Sequence, residues 1–319
     1  MHDNILVLGG TGFVGRSVCE KLVERSGGGG GRIVVPTRRL GHGQHLQMLP
    51  TVQLVQTDLH DDAALARRVA GSGAVINLVA ILQGDAQRFT QVHETLPTRI
   101  AQACSAAGVR RLIHVSALGV GENAPSLYLR SKAAGEKALA AAGLDLTVLR
   151  PSLIFGAHDK LLNLFATLTA VAPVVPLAGA DSRYQPVWVE DVATAIVRCL
   201  DDDTTIGKTF ECAGPDVVTL RELVRLAGRW AGHERPVIGL PGGIATLQAT
   251  LMELLPGEPL MSRDNLASMT VPNVASGTLA GLDALGIRAS ALSAIAPGYL
   301  ATGQGVARLD AWRARARRG

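Results

Sequence analysis

Aromatic side chains make up only 3% of this 319-residue chain, too few for a base-stacking platform or an aromatic sugar cleft. An excess of one charge is missing as well. The 31 lysines and arginines face 27 aspartates and glutamates, a net charge of +4, without the concentrated basic footprint of a nucleic-acid binder. No nucleic-acid partner is expected. The four cysteines, Cys19, Cys104, Cys199 and Cys212, are scattered, and no C-x-x-C pair or Cys/His cluster completes a tetrahedral metal shell. They read as reduced thiols, and no metal is expected. The opening residues lack the basic segment and small-residue cleavage site of a secretory signal, so a cytoplasmic location is expected. Disorder is excluded by composition, with 47% of the residues apolar and 18% charged.

What is present is an alternation. Short apolar runs at Ile5-Leu6-Val7-Leu8, Ile33-Val34-Val35, Gln53-Leu54-Val55, 74–80, Leu112–Val115 and Leu146–Leu149 are separated by helical patterns at 17–25, 62–69 and 89–107. Continuously apolar strands divided by amphipathic helices are what a parallel sheet covered on both faces requires. The fold class is therefore α/β, a Rossmann-type doubly wound sheet. It is expected over 1–156, with 186–200 returning to it, and a smaller interleaved lobe over 157–319. The five glycines within Ser26–Gly31 predict a flexible loop. Leu161–Ala180 carries no charge, but its prolines favour a buried helix ending near Ala172 over a membrane span. The tail 307–319 clusters Arg308, Arg313, Arg315, Arg317 and Arg318, which suits an anionic membrane surface or protein partner.

The run Gly9-Gly10-Thr11-Gly12-Phe13-Val14-Gly15 follows the first strand and opens the first helix. Glycines at 9, 12 and 15 permit a tight turn, close approach of a pyrophosphate and helix-to-strand packing, while the helix start presents N–H groups to phosphate. Gly9, Thr11, Gly12, Phe13, Val14 and Gly15 are thus candidate dinucleotide contacts. At the end of the second strand, where an NAD site places Asp or Glu, the chain reads Val35-Pro36-Thr37-Arg38-Arg39. Arg38 and Arg39 suit a 2′-phosphate, so NADP(H) is the preferred cofactor and NAD(H) the alternative.

Tyr128 and Lys132 stand one helical turn apart in Tyr128-Leu129-Arg130-Ser131-Lys132. An ammonium beside a phenol lowers the phenol toward neutrality and makes it a proton carrier for a carbonyl or alcohol. Lys132 can also hold the nicotinamide ribose. Ser116, closing His114-Val115-Ser116, is placed to orient the substrate oxygen.

Taken together, these motifs resemble an extended or atypical short-chain dehydrogenase/reductase, of the NAD-dependent epimerase/dehydratase kind. Asp58-Leu59, Asn77-Leu78-Val79-Ala80, Arg150-Pro151-Ser152 and Pro186–Val192 add to the likeness. Val35–Arg39, Ala80-Ile81-Leu82, Tyr128–Lys132, Leu254-Leu255-Pro256-Gly257 and Ser262–Leu266 bring it nearer to bacterial relatives of the NADPH-binding Rossmann accessory subunit of respiratory complex I. The resemblance implies that Asp58 and Leu59 flank the adenine, that Val79 and Ala80 line the nicotinamide side, and that Pro151 to Leu153 close over the cofactor. It also implies a link to quinones or the respiratory chain, with a respiratory complex as partner and a peripheral place on the cytoplasmic face of the inner membrane.

The chain departs from an active reductase of this kind at Ser116-Ala117, where a second hydroxyl is usual, and at Phe155, where a tyrosine is usual. An NADP(H)-binding protein with weak or no turnover is the first expectation. The second is an NADPH-dependent oxidoreductase on a hydrophobic carbonyl or alcohol, using Tyr128, Lys132 and Ser116, with 161–177 and 244–255 as an apolar substrate wall.

Overall fold

The computed structural model describes residues 3–27, 30–254 and 261–301. Part of the glycine loop, most of Leu254–Gly257 and the whole basic tail lie outside the described residues.

The chain opens with β1 (Asn4–Leu8), α1 (Phe13–Arg25), β2 (Arg32–Thr37), β3 (Val52–Gln56), α2 (Asp62–Val69) and β4 (Ala74–Asn77). It continues with α3 (Ala86–Thr90), a turn of wider helix at Gln91–Thr95, α4 (Leu96–Ala107), β5 (Arg111–Val115), α5 (Leu127–Ala140) and β6 (Asp145–Pro151). These strands join one parallel sheet in the order β3-β2-β1-β4-β5-β6, extended at its β6 edge by a strand from much later in the chain. The direction of winding reverses between β1 and β4. A crevice beyond the carboxyl ends of strands at such a switch point is where open α/β sheets bind ligands.

Apolar burial explains why these runs became strands. Leu6 and Leu8 of β1, Val75 of β4, Leu112 of β5 and Val148 of β6 pack with Leu65 and Val69 of α2, Ile100 and Cys104 of α4 and Leu139 of α5. Each such side chain contributes roughly 1.5–3 kcal/mol on leaving water. All four cysteines are buried and reduced, as read from their scatter.

The strand expected over 74–80 ends at Asn77, the strand at the start of 186–200 lies outside the large sheet, and the helix expected over 89–107 is interrupted. The helical pattern 89–107 breaks at Gln91–Thr95, where the N–H of Leu96 reaches back to the carbonyl of Gln91. The reason is Pro97: it has no N–H to give the carbonyl of His93, so a regular turn cannot be completed there.

Beyond β6 come β7 (Ile154–Phe155), α6 (Leu161–Val171), β8 (Val175–Leu177), β9 (Arg183–Tyr184), β10 (Val187–Trp188) and α7 (Val189–Asp201). They are followed by β11 (Thr209–Cys212), β12 (Val218–Thr219), α8 (Leu220–Trp230), β13 (Val237–Gly239) and α9 (Gly242–Glu253). The seventh strand of the large sheet is β11, parallel to β6, whereas β10 pairs with β7. Two compact units result. The first takes in 1–151, 190–212 and 276–288, and the second takes in 152–189, 213–275 and the rest.

The second unit has its own core of Phe155, Leu162, Phe165, Leu177, Leu220, Leu223, Val224 and Leu292. Helix α6 ends at Val171, near the expected point, and no helix among the described residues is long and apolar enough to cross a membrane. On α9, Ile244, Leu247, Leu251 and the following Leu254 are exposed along one stripe.

Candidate cofactor and proton-transfer site

The turn after β1 is built for glycine. Gly9 holds the left-handed conformation at φ +83°, and the N–H of Gly12 donates to its carbonyl at 3.0 Å. A Cβ on Gly15 would stand 2.5 Å from backbone atoms of Gly9 and Gly10, so only glycine lets the helix start this close to the turn. Helix α1 has no side-chain cap at Gly12 and no acidic residue in its first turn. Its opening N–H groups and partial positive charge are therefore left for an anion. Thr11, Phe13 and Val14, partly exposed, line the same bend. This uncapped cradle fits a pyrophosphate.

Because the strands are parallel, residues just past their carboxyl ends share one edge of the sheet. At β2, buried Thr37 donates its hydroxyl to the carbonyl of Arg39 at 3.0 Å and shapes the turn, while Arg38 and Arg39 are exposed. After β3, Asp58 Oδ1 accepts the N–H of His60 at 2.9 Å, and the carbonyl of Leu59 accepts from Arg99 Nη1 at 2.9 Å. After β4, Asn77 Oδ1 accepts the N–H of Val79 at 3.2 Å, and a Cβ on Gly9 would stand 3.1 Å from the Leu78 carbonyl carbon. The phosphate turn thus abuts Leu78 and Val79; Ala80 follows, exposed. Pro151 closes β6, its carbonyl accepting the N–H of Leu118 at 3.0 Å. Leu153 belongs to the second unit, where its N–H donates to Asn273 Oδ1 at 3.1 Å.

The proton-transfer pair sits at the start of α5. Ser126 begins that helix by accepting the N–H of Leu129 at 3.2 Å. Lys132, 2% exposed, donates Nζ to the carbonyl of Val115 at 2.8 Å. Burial pushes its ammonium down to about 8, opposed by the carboxylate of Glu136. Glu136 is in turn held by Arg150, Nε to Oε1 at 3.0 Å and Nη2 to Oε2 at 2.5 Å. Burial pushes the phenol of Tyr128 up to about 12. The direction is opposite to the lowering expected from Lys132, because desolvation dominates the phenol. Ser116, the next residue, gives its N–H to the carbonyl of Leu149 at 2.7 Å. Its buried Oγ has no hydrogen-bond partner among the described residues.

Two histidines complete the surroundings, and the sequence reading gave neither a role. His114 is buried, its Nδ1 3.1 Å from Asn77 Nδ2, and its Nε2 has no partner among the described residues. His93 is 2% exposed. Its Nε2 accepts the N–H of Ile81 at 3.1 Å, and its Nδ1 lies 2.9 Å from Ser131 Oγ. Burial, then the nearby Lys132 ammonium, pushes His93 down to about 3 and His114 well below the usual histidine range. Both rings are neutral at pH 7. The only hint of His93 in the sequence is its place four residues before Pro97, where the break in helix pairing turns it toward α5.

A profile of the NAD dependent epimerase/dehydratase family matches residues 5–213. The chain is 33% identical over 294 residues to the protein named NADH dehydrogenase (ubiquinone) 1 alpha subcomplex subunit 9, mitochondrial, of Mus musculus, covering 90% of this chain and 76% of that one. It is 31% identical over 248 residues to a ceramide reductase of Caulobacter vibrioides, covering 77% and 76%. The solved structure of MoeE5 in complex with UDP-glucose and NAD has the same fold, with a TM-score of 0.69 at 17% identity over 93% of this chain and 97% of that one.

Proposed function

This chain belongs to the NAD dependent epimerase/dehydratase family, and from that premise we propose that it is an NADP(H)-binding protein of short-chain dehydrogenase/reductase type with weak or no turnover. The observation that carries the reading is the resting state of its proton-transfer pair. Lys132 gives one of its three N–H donors to the Val115 carbonyl, and burial holds the Tyr128 phenol near 12, a poor match to proton exchange near pH 7. The absence of a second hydroxyl at Ala117 points the same way.

Binding itself is well provided for. The uncapped start of α1 receives the pyrophosphate, and exposed Arg38 and Arg39 offer planar, permanently charged donors to a 2′-phosphate. Bound nicotinamide would supply or accept hydride. The residues around it would hold the ribose through Lys132 and orient an oxygen at Ser116. Its likeness to a subunit named for NADH dehydrogenase (ubiquinone) supports a respiratory complex as partner and a setting in quinone-linked metabolism. We propose a cytoplasmic location, peripheral on the cytoplasmic face of the inner membrane, since the arginine-rich sequence 307–319 suits an anionic surface.

A second reading is favoured by the buried, unpartnered hydroxyl of Ser116 and by the likeness to a ceramide reductase. Here the protein is an NADPH-dependent oxidoreductase acting on a hydrophobic carbonyl or alcohol. Tyr128 passes the proton and Ser116 orients the oxygen.

Calorimetry on ligand-stripped protein tests the first claim, with NADPH expected to bind at least about tenfold tighter than NADH, the worth of one charge-assisted contact. Absence of heat with both overturns dinucleotide binding. Assay against long-chain ketones, ceramide precursors and quinones then separates the two readings. Turnover that disappears in Tyr128→Phe, with cofactor affinity kept, establishes the second.

A further inference from the structure

The geometry points to His93 as a positioning residue: a neutral imidazole, protonated on Nδ1, that ties the loop after β4 to the helix carrying Tyr128 and thereby sets the nicotinamide end of the site. This rests on the dinucleotide-binding reading above.

The tautomer follows from donor chemistry. The backbone N–H of Ile81 can only donate, so Nε2 carries no proton. The single proton of the neutral ring is then on Nδ1 and donates to Ser131 Oγ, whose own hydrogen goes to the carbonyl of Tyr128 at 2.9 Å. Each bond in this chain has one direction, and together they link residue 81 to residue 128 through a single ring. A protonated ring would set a second hydrogen against the Ile81 N–H.

Packing fixes the ring as firmly as the hydrogen bonds do. Its centroid lies 5.4 Å from the Tyr128 ring, edge-on at 81°, and 5.6 Å from Phe89, stacked at 28°. A hydrocarbon ring would fill the same space. It would leave the Ile81 N–H without its acceptor and Ser131 Oγ without the donor from His93, however, and would release Val79–Ile81 from α5. Histidine is the aromatic residue with an acceptor and a donor at separate ring positions. The broken turn before Pro97 brings it to this place.

The test compares whole cofactor with a fragment lacking nicotinamide. In His93→Phe, NADPH affinity is expected to fall about tenfold, the worth of one lost buried hydrogen bond, while 2′-phospho-ADP-ribose binds within about twofold of wild type. His93→Gln, whose Oε1 can accept from Ile81 in place of Nε2, is expected to recover most of the loss. A purely structural histidine gives equal losses on both ligands, and that result, or no loss on either, overturns the inference. If His93→Phe does not fold, Ser131→Ala is expected to show the same split at about threefold, and an even loss there overturns it.

Amide exchange of the ligand-free protein keeps this inference separate from the function it rests on. Exchange at Ile81 should quicken about tenfold in His93→Phe while β1 keeps its protection. Should the wild type bind neither ligand, the dinucleotide reading fails, and the Ile81 rate still decides whether His93 positions the loop. An unchanged rate overturns it.

Discussion

Gly135 lies so close to His93 that a Cβ on it would stand 1.9 Å from the His93 carbonyl oxygen. The obstacle is backbone, which cannot swing aside as a flexible side chain would, so α5 meets the broken turn of 91–95 only because residue 135 has no side chain. Gly135→Ala is expected to lose about 3 kcal/mol of stability, the upper end of overpacking costs. The urea midpoint measures it, and a loss below about 1 kcal/mol would show that the two segments separate easily.

Cofactor choice should follow the two arginines after β2. Arg38→Asp combined with Arg39→Ser is expected to weaken NADPH binding by about 10- to 100-fold, from charged hydrogen bonds worth roughly 1.5–3 kcal/mol, with NADH affinity kept or improved. Parallel titrations with the two dinucleotides measure this. Equal losses on both would place the arginines away from the 2′ position.

Acid should destabilise the fold through its buried imidazoles. His93 is held near 3 and His114 well below the normal histidine value of 6.5. In the window below 6.5 the unfolded chain takes up protons that the folded chain refuses, so stability falls with pH. Linkage gives a loss of about 2 kcal/mol through His93 between pH 7 and pH 5, and His114 acts in the same direction. Imidazole NMR titration supplies the check, and a ring that titrates between 6 and 7 would remove its share.

Alkali should act in the opposite sense through Lys132. Its folded value of about 8 lies below the normal 10.5, so between these values the unfolded chain holds the proton that the folded chain has released. The contribution of Lys132 to stability therefore rises by about 2 kcal/mol from pH 8 to pH 10. The buried thiols of Cys19, Cys104, Cys199 and Cys212, raised above their ordinary value of 9, and the Tyr128 phenol, raised from 10 to about 12, pull the other way within the same window, because the unfolded chain has already released those protons. Urea midpoints of wild type and Lys132→Met at the two pH values isolate the lysine: the stability difference between the two proteins should shift by about 2 kcal/mol in favour of wild type, and an unchanged difference would overturn the assignment.

The strands of the first unit were readable because their apolar runs are continuous and their connections short. Ile5–Leu8 and Leu112–Val115 became β1 and β5 with little change at the ends. The glycine turn was readable for the same local reason, since its spacing serves a bend that its own backbone makes. The edge strand Thr209–Cys212 was not, because it pairs with β6 across a long stretch of chain. His93 escaped notice because nothing within its own helical pattern marks it, and its partners Ile81 and Ser131 come from two other segments.

By itself the amino-acid order determined the parallel α/β architecture, the phosphate turn and the one-turn spacing of Tyr128 and Lys132, since periodicity and backbone freedom are properties of neighbouring residues. Only the tertiary structure set how readily each member of that pair ionises and which groups the buried histidines beside it meet. Ionisation depends on how much water is excluded and on which donors and acceptors meet in space, and here burial lowered the Lys132 ammonium, which donates to Val115, and raised the Tyr128 phenol.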